Sequence, residues 1–178
     1  MTNFTLNEIN FLKNNTAIIG DYERIPYDRV HKIGKLAGGY TILSTDKTPL
    51  KKTIDFFELF LSDPKNKALV LESEISRTQV FDIWGVQINY ILVNHKYRNQ
   101  GIAYSFYEFL LDKFGVIFSD TTQTKGSRNI WKKLAINHDV KLIRPNTNTR
   151  IPPKTVKNTK DAYRTENAKA YLIAFKKS

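Results

Sequence analysis

The sequence predicts a mixed α/β (α+β) fold, and three features carry that expectation. Val80–Val93 is a long β-rich run holding Phe81, Ile83, Trp84, Val86, Ile88, Tyr90, Leu92 and Val93. Two stretches with helical spacing follow, at about Ile102–Phe114 and Gly126–Ile136. Short apolar segments, Val116–Ser119 and Val140–Ile143, follow each of them in turn and read as buried strands. At 178 residues the chain suits one domain, 1–178, able to bury roughly 70% of its unfolded surface.

The elements justify themselves in chain order. Thr5-Leu6-Asn7-Glu8 is a capping box, and Leu6, Ile9 and Leu12 follow at helical spacing, which predicts a short helix at about 5–13. Val30–Leu36 alternates loosely, Gly38-Gly39 is a hairpin signal and Tyr40–Leu43 is its second strand. Thr53 then caps a predicted helix with Ile54, Phe57 and Leu61 on one face and Phe56 and Phe60 beside it, closed by Asp63-Pro64. Ala68–Ile75 reads as a strand, with a break near Ser76–Thr78 before the long run. The loop Asn94–Gln100 leads into the first of the two later helices, and Ala170–Phe175 is a final strand.

Composition removes several classes. There is no Cys, which excludes disulfide scaffolds, thiolate-bound zinc, cysteine nucleophiles and CxxC redox chemistry. The three His, His31, His95 and His138, lie far apart, so a local His-rich metal motif is absent and no metal is expected. The longest apolar runs fall well short of the roughly 18–20 residues of a membrane span. Asn7, Glu8, Asn10, Asn14 and Asn15 do not suit a signal peptide. A cytoplasmic protein with no membrane partner, monomer or homodimer, is the expectation.

Lys and Arg number 28 against 17 Asp and Glu, a formal net charge of +11. That charge permits an acidic partner, whether nucleic acid, a phosphate-rich cofactor or an anionic surface. Lys141–Lys160 concentrates it: Lys141, Arg144, Arg150, Lys154, Lys157 and Lys160 occur with no acidic residue, among Pro145, Pro152 and Pro153. Such a composition cannot pack a core and reads as a long basic loop, placed at about 144–169, either merely solvated or facing a substrate or nucleic acid.

The chemistry concentrates in Val93-Asn94-His95-Lys96-Tyr97-Arg98-Asn99-Gln100-Gly101-Ile102-Ala103. This is a strand, a basic loop, small residues and a helix start. Unpaired N–H groups open a helix there, the macrodipole adds about half a positive charge, and Arg98 adds a full one. Gly101 lets the backbone approach a ligand closely, and a pyrophosphate would suit such a place. Equally, Gly101 could make only a turn at an ordinary helix start.

The stretch Arg98-Asn99-Gln100-Gly101-Ile102-Ala103 resembles the signature of the GNAT superfamily of acyl-CoA-dependent N-acetyltransferases, an Arg/Gln-x-x-Gly-x-Gly/Ala loop after a strand that ends in valine. The resemblance covers about residues 80–143. It implies a mixed, mostly antiparallel central sheet flanked by helices, with a splayed strand pair at the acyl-CoA cleft. It also implies that Ile91, Leu92 and Val93 offer backbone groups to the pantetheine arm of acetyl-CoA. Arg98, Asn99, Gln100, Gly101, Ile102 and Ala103 would hold its pyrophosphate. Segments after Asp120 resemble phage- or mobile-element-encoded members.

The catalytic candidates are Asp120, Asn89, Gln87 and Trp131. The family's later helix ends in a pattern like Leu-Tyr-x-x-x-Gly-Phe, and here Trp131 stands at the tyrosine position; an indole N–H donates a hydrogen bond but releases no proton near pH 7. Many relatives carry a glutamate base on the long strand, where this chain has Gln87-Ile88-Asn89-Tyr90. Gln87 and Asn89 share a face by the period of two and can orient a water or an amine without acting as bases. Asp120 could bind a cationic amine, accept a proton or cap a turn, and Asp82 is a weaker candidate. His95 flanks the cofactor loop, and Lys125 and Arg128 could reach the 3′-phosphate of the coenzyme or be solvated.

Three functions remain open from the residues alone. The first is acetyl transfer from acetyl-CoA to an amine by direct attack in a ternary complex. The second is a catalytically degenerate binding protein of the same fold. The third is a nucleic-acid-directed protein using the 141–160 loop.

Overall fold

The computed structural model describes residues 31–44, 56–66, 68–80, 82–120, 123–143, 154–155 and 171–176. The proposed helix at 5–13 and most of the basic loop lie outside them. The described chain is a mixed α/β structure with a mostly antiparallel sheet and two longer helices. It forms two compact units.

The first unit takes residues up to Ile75 together with Ile91–Ile102. Its strands are β1 (His31–Lys35), β2 (Thr41–Ser44), β3 (Phe56–Asp63), the first part of β4 (Ala68–Val80) and the end of β5 (Ile83–Val93), neighbours in that order. β1 and β2 form the antiparallel hairpin that Gly38-Gly39 signals, with both glycines in the left-handed region at φ 86° and 85°. β2 pairs antiparallel with β3, Ile42 opposite Leu61 and Leu43 opposite Phe60.

The segment expected to be a helix at Thr53–Asp63 is strand β3 from Phe56 onward. Leu59, Phe60 and Leu61 are all buried, so both faces of the strand are covered. A doubly covered strand shows a continuous apolar run with no alternation, and periodicity cannot separate it from a buried helix. The core of this unit includes Ile42, Leu43, Leu59, Leu61, Val70, Leu71 and Ile75.

The second unit holds Ser76–Tyr90 and the residues from Ala103 onward. No break occurs at Ser76–Thr78, where β4 continues to Val80. The polar residues continue the strand because their hydroxyls have cross-strand partners: Ser76 donates to Asn89 Oδ1 at 3.2 Å, and Thr78 to Gln87 Oε1 at 3.4 Å. The long run is likewise divided, β4 ending at Val80 and β5 starting at Ile83, with Asp82 in the turn between them.

Helix α1 (Ile102–Phe114), strand β6 (Val116–Phe118), helix α2 (Lys125–Asn137), β7 (Asp139–Ile143), the two-residue β8 (Lys154–Thr155) and β9 (Tyr171–Phe175) are the other elements among the described residues. β6 lies parallel to β5, with Val86 opposite Ile117 and Gln87 opposite Phe118. β9 is antiparallel to both β6 and β7. Lys141 lies on β7, in line with the strand expected at Val140–Ile143, whereas Lys154, expected in the loop, sits on β8; Lys141 is opposite Thr155 and Leu142 opposite Lys154. Phe106, Tyr107, Leu110, Leu111, Phe118, Trp131, Leu134 and Ile173 are buried in this unit.

Candidate functional site

In the first unit the ends of β4 and β5 and the segment after them enclose a pocket of about 120 Å³. Val70 and Leu71 line it from β4, Leu92 and Val93 from β5, and Asn94, His95 and Arg98 from the loop. Asn94 ties the strand ends together. Its backbone N–H donates to the Val70 carbonyl at 2.9 Å and its side-chain amide to the Leu69 carbonyl at 3.0 Å. Its Oδ1 accepts from the Lys96 N–H, capping a single 3₁₀ turn, His95–Tyr97.

The loop is braced by its own side chains. Arg98 Nε donates to the Val93 carbonyl at 3.0 Å, and the Gln100 amide to the Lys96 carbonyl at 3.1 Å. Gln100 is thus committed to the loop's shape. The bond from Arg98 Nε orients the guanidinium and leaves its two terminal amino groups for another acceptor. Asn99 and Gly101 lie in the left-handed region, at φ 62° and 77°. Alternating left-handed residues turn successive N–H groups toward one side, the geometry of an anion-binding concavity. Among the described residues, the N–H groups of Asn99, Gln100, Gly101 and Ile102 have no backbone acceptor. A Cβ at Gly101 would meet nothing within 4 Å, so the space beside the backbone is open. Ile102 opens α1, with Ala103 next along the chain.

Asp63 holds the loop from the β3 side. Its carboxylate accepts the N–H groups of Lys65 and Asn66 at 3.0 and 3.1 Å, the Asn66 amide at 2.7 Å and the Tyr97 hydroxyl at 3.3 Å. Burial would raise this carboxyl, but the bonds from Asn66, Lys65 and Tyr97 outweigh it and hold it below the usual aspartate range. Tyr97 packs edge-on against Tyr40, ring centroids 6.4 Å apart. Burial and the Asp63 charge raise the Tyr97 phenol, so it stays protonated and donates.

Glu58 on β3 and Glu72 and Glu74 on β4 form an acidic group in the same unit. Burial, then the charge of Glu74, raises Glu58; burial, then the charge of Glu58, raises Glu72. Such carboxyls accept a proton more readily than ordinary ones.

In the second unit the expected catalytic residues are scattered. Gln87 and Asn89 share the face that their spacing predicts, but their side-chain oxygens accept from Thr78 and Ser76. Trp131 is fully buried, edge-on to Tyr107 with centroids 6.0 Å apart, and its Nε1 has no hydrogen-bond partner among the described residues. It stands in the core. Asp120 is half-buried. Ser119 before it spends its hydroxyl accepting the Leu172 N–H at 2.9 Å. Burial pushes the Tyr107 phenol up to about 12, against a lowering bond with Ser127, and the Asp120 charge adds to the rise. Arg128 Nε donates to the Gln123 carbonyl at 3.3 Å, while Lys125 is exposed.

Asp63, Glu58, Glu72 and Tyr107 carry no role in the sequence reading. Asp63 was legible in principle: Asp-Pro-Lys-Asn is an Asx-turn pattern as much as a helix stop. The glutamates were hidden by taking β3 for a helix, which sets Glu58 and Glu72 on unrelated faces. Among the described residues no group of three or more His, Asp or Glu is arranged to hold a metal ion, and no helix is long and apolar enough to cross a membrane. No protein-family model matches the sequence, and no curated protein is similar to it.

Proposed function

We propose that the chain is an acyl-CoA-dependent N-acetyltransferase of the GNAT type, moving an acetyl group from acetyl-CoA to an amine. The observation that carries this reading is the loop Arg98–Ile102. It combines left-handed Asn99 and Gly101, N–H groups without backbone acceptors, and a guanidinium oriented by its Nε. Pyrophosphate is the ligand such a loop suits, through charge-assisted bonds to backbone and guanidinium. Backbone groups of Ile91, Leu92 and Val93 would then pair with the pantetheine arm like an added strand.

Transfer proceeds by attack of the neutral amine on the thioester carbonyl, collapse of the tetrahedral adduct and departure of the coenzyme thiolate. The amine's proton needs an acceptor. With Gln87 and Asn89 unable to serve, the proton goes to Glu72, which shares a face of β4 with the pocket-lining Val70 and whose carboxyl is raised by burial and by the Glu58 charge. The acetyl acceptor is a cationic amine, drawn by the same acidic group.

Calorimetric titration with acetyl-CoA tests the reading. Wild type should bind, and Arg98→Ala should weaken binding about tenfold or more, the scale of a charge-assisted contact. Absence of binding by wild type would sink it. Coenzyme release in the presence of polyamines, lysine peptides and aminoacylated RNA then identifies the acceptor.

A further inference from the structure

The loop that would hold pyrophosphate is joined to the rest of its unit by few side-chain bonds. Arg98 and Gln100 brace it internally, onto Val93 and Lys96. Asn94 secures its start to Leu69. Past that point, among the described residues, the bond that reaches another strand's turn is Tyr97 to Asp63 at 3.3 Å. Tyr97 immediately precedes Arg98, so the direction of the phenol fixes where the left-handed residues begin. Asp63 is itself fixed, by three donors from Lys65 and Asn66, and the Tyr97 ring is fixed by Tyr40.

We propose that Asp63 and Tyr97 are positioning residues that preset the Arg98–Ile102 backbone for a pyrophosphate. The inference rests on the acyl-CoA reading for the identity of the natural ligand. A loop ordered in advance loses less freedom when the anion arrives, and its N–H groups need no rearrangement to converge on the phosphate oxygens. Neither residue touches the ligand; both act through the loop.

The test uses inorganic pyrophosphate, acetyl-CoA and S-acetylpantetheine, which lacks the phosphates, titrated calorimetrically into wild type, Tyr97→Phe, Asp63→Asn and the double variant. Tyr97→Phe carries it, because the ring and the Asp63 charge both remain and only the hydroxyl is lost. Pyrophosphate and acetyl-CoA should each bind about 3- to 10-fold more weakly to Tyr97→Phe. S-acetylpantetheine should be unaffected. In turnover, KM for acetyl-CoA should rise with kcat unchanged. Adding Asp63→Asn to Tyr97→Phe should cost less than the two separate losses sum to, since both break one bond.

Unchanged pyrophosphate affinity in Tyr97→Phe would overturn the proposal, and so would equal weakening of all three ligands, which marks a general loosening. Tighter pyrophosphate binding by Asp63→Asn with no effect of Tyr97→Phe would mean that Asp63 acts only as a repelling charge. If wild type binds pyrophosphate but not acetyl-CoA, the acyltransferase reading falls while the positioning role stands on the pyrophosphate result. If wild type binds neither, both fall.

Discussion

A Cβ added at Gly85 would lie 2.7 Å from Phe118 Cε2 and 2.8 Å from the Val116 carbonyl oxygen, because β6 packs directly against β5 there. Backbone oxygen cannot step aside cheaply. Gly101 is the opposite case: its surroundings are empty, and its φ of 77° is what excludes a side chain. Gly85→Ala should therefore cost about 1–3 kcal/mol in urea unfolding, through overpacking. Gly101→Ala should cost about 1 kcal/mol, through backbone strain. A loss at Gly85→Ala clearly smaller than that at Gly101→Ala would contradict the overpacking argument. Neither role can be read from the letter G in a sequence; the first depends on a strand some thirty residues away. Trp131 shows the same limit from the other side. Its match to the resembled family's tyrosine position made it a candidate donor, with plain core or a wall of the acyl channel as the alternative, and its full burial edge-on to Tyr107 puts it in the core.

At the scale of elements, α1, α2, β6, β7 and β9 were legible because each has one clear period and a clear stop. α2 starts where Thr124 can cap it, its hydroxyl accepting the Ser127 N–H at 3.2 Å. Thr124→Ala should cost about 1 kcal/mol, measured by thermal unfolding, while Thr124→Ser should retain most of the stability. β3 was not legible, because Leu59, Phe60 and Leu61 are buried on both faces, and helix and strand templates score alike on such a run. The same mistake concealed the site. Read as a strand, β3 puts Asp63 at the turn facing Tyr97 and Glu58 beside the carboxylates of β4. Read as a helix, it leaves the Arg98–Ala103 motif without supporting residues. The loop motif itself needed no fold to be seen, since its basic and small residues are contiguous.

At the scale of the whole molecule, the net charge of +11 coexists with buried carboxyls that oppose one another in their response to acid. Asp63 ionises below its ordinary 3.8, so its contribution to stability is complete above that value and is lost as pH falls through its lower folded pKa. Glu58 and Glu72 are raised above their ordinary 4.5. The folded state binds their protons more tightly than the unfolded state, so stability is lost as pH rises from 4.5 through the raised values and regained on acidification. Thermal unfolding should accordingly be most resistant in mildly acidic solution. Glu72→Gln removes a buried charge and relieves Glu58, so it should raise the melting temperature at pH 7 by about 2 °C or more. It should change the melting temperature little near pH 4, where the wild-type carboxyl is already protonated. If Glu72 takes the amine's proton, the same substitution lowers kcat at pH 7 and removes the acid limb of the pH–rate profile, giving a protein that is more stable and less active. A melting temperature at pH 7 that falls instead would mean that the Glu72 carboxylate is held by favourable partners, and the raised-pKa argument for its role as proton acceptor would fail with it.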